Sequence, residues 1–489
     1  MTKPNLTRRQ WMLGSGAATA GWLLQPQARA VTAGSTGIRA GAAIADITLP
    51  LGASNLGVIS RNPPPTHIHD PLYARCLALD DGTTQLAFAI CDLRMIDRER
   101  TEAVRRVLAE AVGLPPAHIL ISATHSHSAP AVLSTNLHSD LDRMYYRLLV
   151  QRIADGIRTA LNRLAPAEIG WGVGQVPQHV FNRRWFMRPE AIPPNPFGET
   201  GDRVRMNPPR ASEDLIRPAG PVDAQVSVLA ARHVDGRPLA LLANYGLHYV
   251  GGFGREDVSA DYFGFFARRI RQQLDADSTW PPFVAMMSNG ASGDVNNIDF
   301  RRPRQSYPPY QRMQEVADDV ADEVCRVVQD LEYRRDVKLA AAETDLNLGV
   351  RRPDRQRLQW AEEIWQQVQD DTPRGRPQIY AAEARMLAEY PETVPVKLQA
   401  LRIGEVGIAA APCEVFAETG LAIKAQSPLQ PSFVIELANG YNGYLPTPQQ
   451  HQWGGYETWP SRGAYLDVDA EPHIRATLLE LLGDVAPTV

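Results

Sequence analysis

Two stretches decide the fold: Gln-Leu-Ala-Phe-Ala-Ile-Cys-Asp-Leu-Arg at 85–94, and His-Ile-Leu-Ile-Ser-Ala-Thr-His-Ser-His at 118–127. Each starts as an apolar run of strand length and ends in residues able to do chemistry. Runs without polar alternation are expected of strands covered on both faces. The same pattern recurs along the chain. Residues 239–245 lead into His248, 282–287 into Asn289, Gly293 and Asp294, 406–411 into Glu414, and 432–437 into Asn439, Tyr441 and Tyr444. Segments of helical periodicity lie between them. In 98–112 the apolar residues are Val104, Val107, Leu108 and Val112, and 145–164, 262–274 and 312–331 behave similarly. Residues 355–390 read as two charged helices broken at Thr372-Pro373-Arg374-Gly375. The alternation predicts an α/β fold, one large domain over 31–489 with a mixed β-sheet and flanking helices. Polar side chains collect at strand C-ends, where open α/β sheets place their sites. The stretch 185–221 is rich in Pro, Arg and Asn and has no period, so it reads as a long loop of the lid or binding kind.

The N-terminus reads as an address. Residues 1–30 hold Lys3, Arg8, Arg9 and Arg29 and no acid. Thr7-Arg8-Arg9-Gln10-Trp11-Met12-Leu13 supplies an arginine pair with an apolar follow-on, 14–24 is small and weakly apolar, and Ala28-Arg29-Ala30 is a small-x-small cleavage site. This is the pattern of a twin-arginine (Tat) signal peptide, and it predicts a periplasmic or secreted protein. That route carries folded proteins. The remaining 459 residues carry 46 basic and 55 acidic side chains, net −9. A nucleic-acid partner is therefore not expected. No segment offers the roughly 20 apolar residues of a membrane span, though peripheral contact through loops stays open. Cys76, Cys91, Cys325 and Cys413 show no CxxC spacing, so a cysteine zinc site is not expected. Cys76 and Cys91 read either as a disulfide or as buried thiols.

Several residues are candidates for chemistry. In an extended segment His125 and His127 would face the same side, and imidazole serves both as metal ligand and as acid or base. His248 reads as a ligand or a satisfied core histidine. Glu414 reads as a ligand or an acid in the first turn of a helix over 415–426. Two imidazoles, a carboxylate and an open position would make a hydrolytic zinc site. Gly290-Ala291-Ser292-Gly293-Asp294 is not a G-x-S-x-G elbow, because Asp294 stands at the last glycine.

At these residues the sequence resembles the N-terminal catalytic domain of the neutral/alkaline (non-lysosomal) ceramidases. The motifs run in order: Ala45-Asp46-Ile47-Thr48 with Pro50, Leu72-Tyr73-Ala74-Arg75, Ser122 to Pro130, Asn182-Arg183, Asn244 to His248, Asn289 to Asn297, Pro412-Cys413-Glu414, and the tyrosines from Tyr441 to Tyr456. The resemblance implies one zinc ion held by His125, His248, Glu414 and Tyr444. It also implies that His127 and Tyr456 contact the scissile carbonyl and that Arg183 binds a polar end of the substrate. Asn296 stands where the family carries a serine, which favours a metal-activated water as attacker. No counterpart of the family's C-terminal β-sandwich domain is expected in this chain. The implied function is a zinc-dependent hydrolase cleaving the amide of ceramide or another N-acyl substrate, small or lipid. The alternatives are a metal-dependent esterase or lactonase on a polar or carbohydrate-derived substrate, and a non-catalytic binding protein. Six arginines (Arg183, Arg184, Arg188, Arg203, Arg205 and Arg210) hint at a polar or anionic substrate or, equally, at a solvated loop.

Overall fold

Strands that pair in parallel need a long connection between them, and three such connections organise the two main sheets. The structure, a computed structural model, describes residues 37–54, 63–254, 256–276, 278, 280–370 and 372–487. The signal-peptide reading of residues 1–30 falls outside these. The larger sheet has eight strands: β1 (Arg39–Asp46), β2 (Tyr73–Asp80), β3 (Gln85–Cys91), β4 (Ile119–Ala123), β5 (Ala165–Gln175), β6 (Gln225–His233), β7 (Pro238–Tyr245) and β8 (Val284–Asn289). Their order is β8-β7-β6-β5-β1-β2-β3-β4. The interior pairs are antiparallel, whereas β3–β4 and β7–β8 at the two edges are parallel. A second sheet holds β9 (Leu339–Gly349), β10 (Thr393–Ile403), β11 (Val406–Ala410) and β12 (Ser432–Ile435), and its β11–β12 pair is also parallel. Helices α1 (Arg98–Val112), α3 (Asp261–Gln273) and α7 (Ala417–Gln426) lie within the three crossovers, with α2 (Asp140–Asn162), α4 (Gln311–Gln329), α5 (Arg355–Trp365), α6 (Gly375–Ala388), α8 (Pro448–Trp453) and α9 (Ala470–Val485) elsewhere.

The two sheets pack face to face between outer helical layers. Leu77, Leu79, Phe88, Ile90 and Leu120 meet Leu401, Ile403, Ile408, Phe433 and Ile435 in one inter-sheet core. The opposite face of β1–β4 presents smaller side chains, among them Ala74, Cys76, Ala78, Ala87 and Ala89, to Val104, Leu108, Leu149, Ile153 and Ile157 of α1 and α2. Small residues let those helices come close: a Cβ on Gly156 of α2 would stand 2.8 Å from the Cys76 sulfur. Burial on both faces explains the unbroken apolar runs. Helices α3 and α4 cover β6–β8, and α7 and α9 cover the second sheet.

The predicted runs match strands within one or two residues, and 98–112 matches α1. The loop expected at 185–221 contains a small three-stranded sheet, Arg184–Met187 paired with Val204–Met206 and Leu215–Pro218. Such short strands carry no usable period. Glu414 is not a first-turn helical acid. It lies in a two-residue strand, Glu414–Val415, in parallel register with Tyr444–Leu445, and α7 starts three residues later. All four cysteines are free thiols, with Cys76 and Cys91 buried. No helix among the described residues is long and apolar enough to cross a membrane.

Candidate metal-binding active site

Each parallel pair of the two main sheets ends in the same region, and the segments leaving the strands are stitched together. Ala123 N–H donates to Leu437 O at 3.1 Å, Asn439 N–H to Ile121 O at 2.7 Å, and Glu436 N–H to Asn289 O at 3.1 Å. The exit of β12 thus runs between the exits of β4 and β8. His125 leaves β4 in the left-handed region, φ 73°. The extended geometry expected for His125-Ser126-His127 is therefore absent, and a turn brings the two rings together instead.

The three imidazoles converge. His125 Nε2 is 3.0 Å from His248 Nε2 and 3.2 Å from His127 Nε2. Glu414 Oε2 lies 3.5 Å from His125 Nε2 and 3.8 Å from His248 Nε2. His125 Nδ1 meets the Arg94 carbonyl at 2.8 Å, and His248 Nδ1 meets the Ser292 carbonyl at 3.2 Å. A carbonyl only accepts, so both Nδ1 atoms carry the proton, and in the neutral rings both Nε2 atoms are lone-pair acceptors. Two acceptors 3.0 Å apart, with a carboxylate oxygen beside them, repel unless a cation lies between. Glu414 Oε2 is buried and has no hydrogen-bond partner of good geometry among the described residues, while Oε1 takes one from the Tyr441 hydroxyl at 3.0 Å. Nitrogens about 2.0–2.1 Å from a tetrahedral zinc stand about 3.3 Å apart. The donor set therefore fits a metal, and His125, His127 and His248 supply three nitrogens mutually within 4.8 Å.

The electrostatics match. Burial, then the charge of neighbouring Arg94 and His125, holds the His127 imidazole well below its usual range. Burial, then His125 and Arg183, does the same for His248. Burial opposes the charge of Glu414, but His125, Arg183 and Tyr444 outweigh it, so the carboxylate is held low. At neutral pH these three groups are deprotonated, the state that metal ligation requires.

Around the group stand the other expected residues. Tyr444 is the register partner of Glu414, and its ring lies under the Arg183 guanidinium, 5.4 Å from centroid to Cζ. Tyr456 meets Tyr444 edge to face at 5.8 Å. Arg183 is buried and donates to Glu457 Oε1 at 3.0 Å and to Gly293 O at 2.8 Å. Arg184 donates to the other oxygen of Glu457 at 2.6 Å. Of the six arginines in and before the long loop, these two are internal braces. Asn296 is placed differently from the rest: its amide donates to Asn207 Oδ1 at 2.9 Å and accepts from Ile298 N–H at 3.0 Å.

Four contributors escaped the sequence reading of the site. Arg94, at the end of β3, is buried, donates to the His127 carbonyl and accepts His125 Nδ1 on its own carbonyl. Tyr249 stacks on His127 at 3.7 Å. Ser292 donates its hydroxyl to Glu436 Oε1 at 2.6 Å, and Val415 N–H donates to Glu436 Oε2 at 2.7 Å. Glu436 thereby ties the loop that holds His248 to the strand that holds Glu414. The available signal was an acid inside the apolar run 432–437. Gly293 permits the close passage of that loop, since a Cβ there would stand 2.4 Å from the Glu414 carbonyl oxygen.

Fold and site together define a mixed α/β protein with a buried histidine–carboxylate centre suited to one metal ion. Residues 38–299 match the family model described as neutral/alkaline non-lysosomal ceramidase, N-terminal, and the chain belongs to that family. The fold is similar to that of the neutral ceramidase from Pseudomonas aeruginosa, with TM-score 0.67 and 17% identity over 93% of this chain and 76% of that one. It is similar also to a ceramidase complexed with C2, with TM-score 0.67 and 15% identity over 93% of this chain and 77% of that one.

Proposed function

We propose that the chain is an exported zinc-dependent amidase that hydrolyses ceramide or a related N-acyl compound. The carrying observation is the convergence of His125 Nε2, His248 Nε2 and Glu414 Oε2 with both Nδ1 protons already committed to carbonyls. Family membership supports the amide bond, and the parts of the N-terminal signal support export. His125, His248 and Glu414 would hold the ion, with Tyr444 or His127 as the fourth protein donor. Bound there, zinc supplies a Lewis acid and lowers the pKa of water toward about 7.

The protein's own groups do the rest. His127, stacked on Tyr249, and Tyr456 offer hydrogen bonds to the developing oxyanion, typically about 3 kcal/mol per donor. Arg183, fixed by Glu457, holds Tyr444 beside Glu414. Arg94 and Glu436 orient His125 and Glu414 respectively through backbone contacts. The test is mass-spectrometric detection of fatty acid and sphingoid base released from ceramide, with a chelator-treated control. Chelator-sensitive release that zinc restores is expected. Full activity in a metal-free His125→Ala protein would sink the mechanism.

A further inference from the structure

A cleft of about 760 Å³ opens beside the metal-ligand loops. One wall, Val250 to Gly252, begins two residues after His248, and another, within 297–312, continues directly from the loop carrying Ser292 and Asn296. Arg210 reaches it from the 183–221 insert, which is pinned there by Ala211 N–H donating to Phe300 O at 2.8 Å. The lining holds five arginines, Arg210, Arg301, Arg302, Arg304 and Arg312, against one carboxylate, Asp299. Arg301 and Arg302 both lean on that carboxylate, at 2.8 and 3.4 Å. Arg312 is shared between Glu315 and His179, at 3.2 and 3.0 Å. Arg210 and Arg304 have no carboxylate within ion-pair distance among the described residues.

This positive concentration sits in a chain whose net charge is −5. Concave walls of one sign focus the field and gather counter-ions. The volume falls in the range of small-ligand sites, about 300–1,000 Å³. Guanidinium forks match the paired oxygens of a phosphate or sulfate, and those of Arg210 and Arg304 are engaged by no carboxylate among the described residues. A molecule whose anion sits here has its neighbouring atoms beside the segments that carry His248 and Asn296. We infer that the cleft binds the phosphate-like group of an anionic N-acyl substrate. The inference rests on the amidase reading and narrows it from neutral ceramide to a ceramide carrying a phosphate or sulfate headgroup.

The test uses the zinc-loaded full chain and two readouts. Calorimetry with inorganic phosphate should show saturable binding that Arg304→Gln and Arg210→Gln each weaken at least about tenfold. Hydrolysis should favour a short-chain ceramide phosphorylated on its primary hydroxyl over the same ceramide unphosphorylated, by at least about tenfold in kcat/KM, and each substitution should shrink that ratio toward one. Phosphate affinity indifferent to both substitutions overturns the site. Arginine-dependent phosphate binding without substrate discrimination overturns the substrate assignment and leaves a site for free phosphate. Arginine-dependent binding of the phosphorylated ceramide, with neither ceramide cleaved under any metal, retains the anion site and refutes the amidase reading instead.

Discussion

Two buried polar clusters stand side by side in this protein and differ in how their atoms are satisfied. In the Arg183–Arg184–Glu457 cluster, both carboxylate oxygens accept from guanidinium groups and further donors reach Gln450 and the Gly454 carbonyl. In the His125–His248–Glu414 cluster, acceptors face acceptors and one carboxylate oxygen has no well-formed hydrogen bond among the described residues. A closed network is a brace, because every buried group already has its partner. An open one of a single sign is a binding site awaiting the opposite sign.

The sharpest way to break that contrast is to empty the open cluster. His248→Ala should lower zinc content to below about a tenth of stoichiometric and ceramide turnover by at least about 10³-fold, with little change in circular dichroism. Equal metal content in the two proteins would show that His248 is not a ligand. In the closed cluster, Glu457→Ala strands two buried arginines and should cost about 3–5 kcal/mol in denaturant unfolding. A loss below about 1 kcal/mol would mean that the brace reading is wrong.

A third expectation concerns Asp294, whose carboxylate accepts from Asn182 Nδ2 at 2.7 Å and Ala417 N–H at 2.8 Å beside the closed cluster. Burial pushes it from its ordinary 3.8 up to about 6. A raised carboxylate is bound to its proton more tightly when folded. Its contribution is thus fully present below about pH 4 and lost as pH rises through about 6, up to about 3 kcal/mol. Unfolding free energies between those pH values should show this decline in the parent and lack it in Asp294→Asn. The smallest effect is expected at Asn296, whose amide is engaged by Asn207 and Ile298. Asn296→Ser should change ceramide turnover less than about threefold. A tenfold gain would place the side chain in the reaction.

Much of this was legible because buried strands leave a strong mark. Double-faced burial wrote the runs at 85–92, 118–123 and 239–245 in apolar letters, and polar residues at their ends marked where to look for a site. His125, His248 and Glu414 follow such runs and meet. The sequence could not show that His125 turns at positive φ, or that Glu414 lies in a strand. Both depend on pairings outside the local sequence: Asn439 bridges to Ile121 beside the His125 turn, and Glu414 pairs with Tyr444. Nor could it separate bracing arginines from substrate-facing ones, since Arg183 and Arg184 take their meaning from Glu457, 274 and 273 positions onward. The Arg301–Arg312 stretch went unremarked because its charges converge only when the loop folds against Arg210.

The three parallel crossovers carry one more consequence. His125 follows the strand that closes one crossover, whereas His248 and Glu414 lie within the other two, and 123 positions separate the two histidines. No single crossover holds enough ligands to retain an ion, so tight binding waits until all three have docked. Loop closure over such separations is slow and entropically costly. Capture of a metal there would accordingly be a timestamp, one that marks the moment at which distant parts of the chain have found each other.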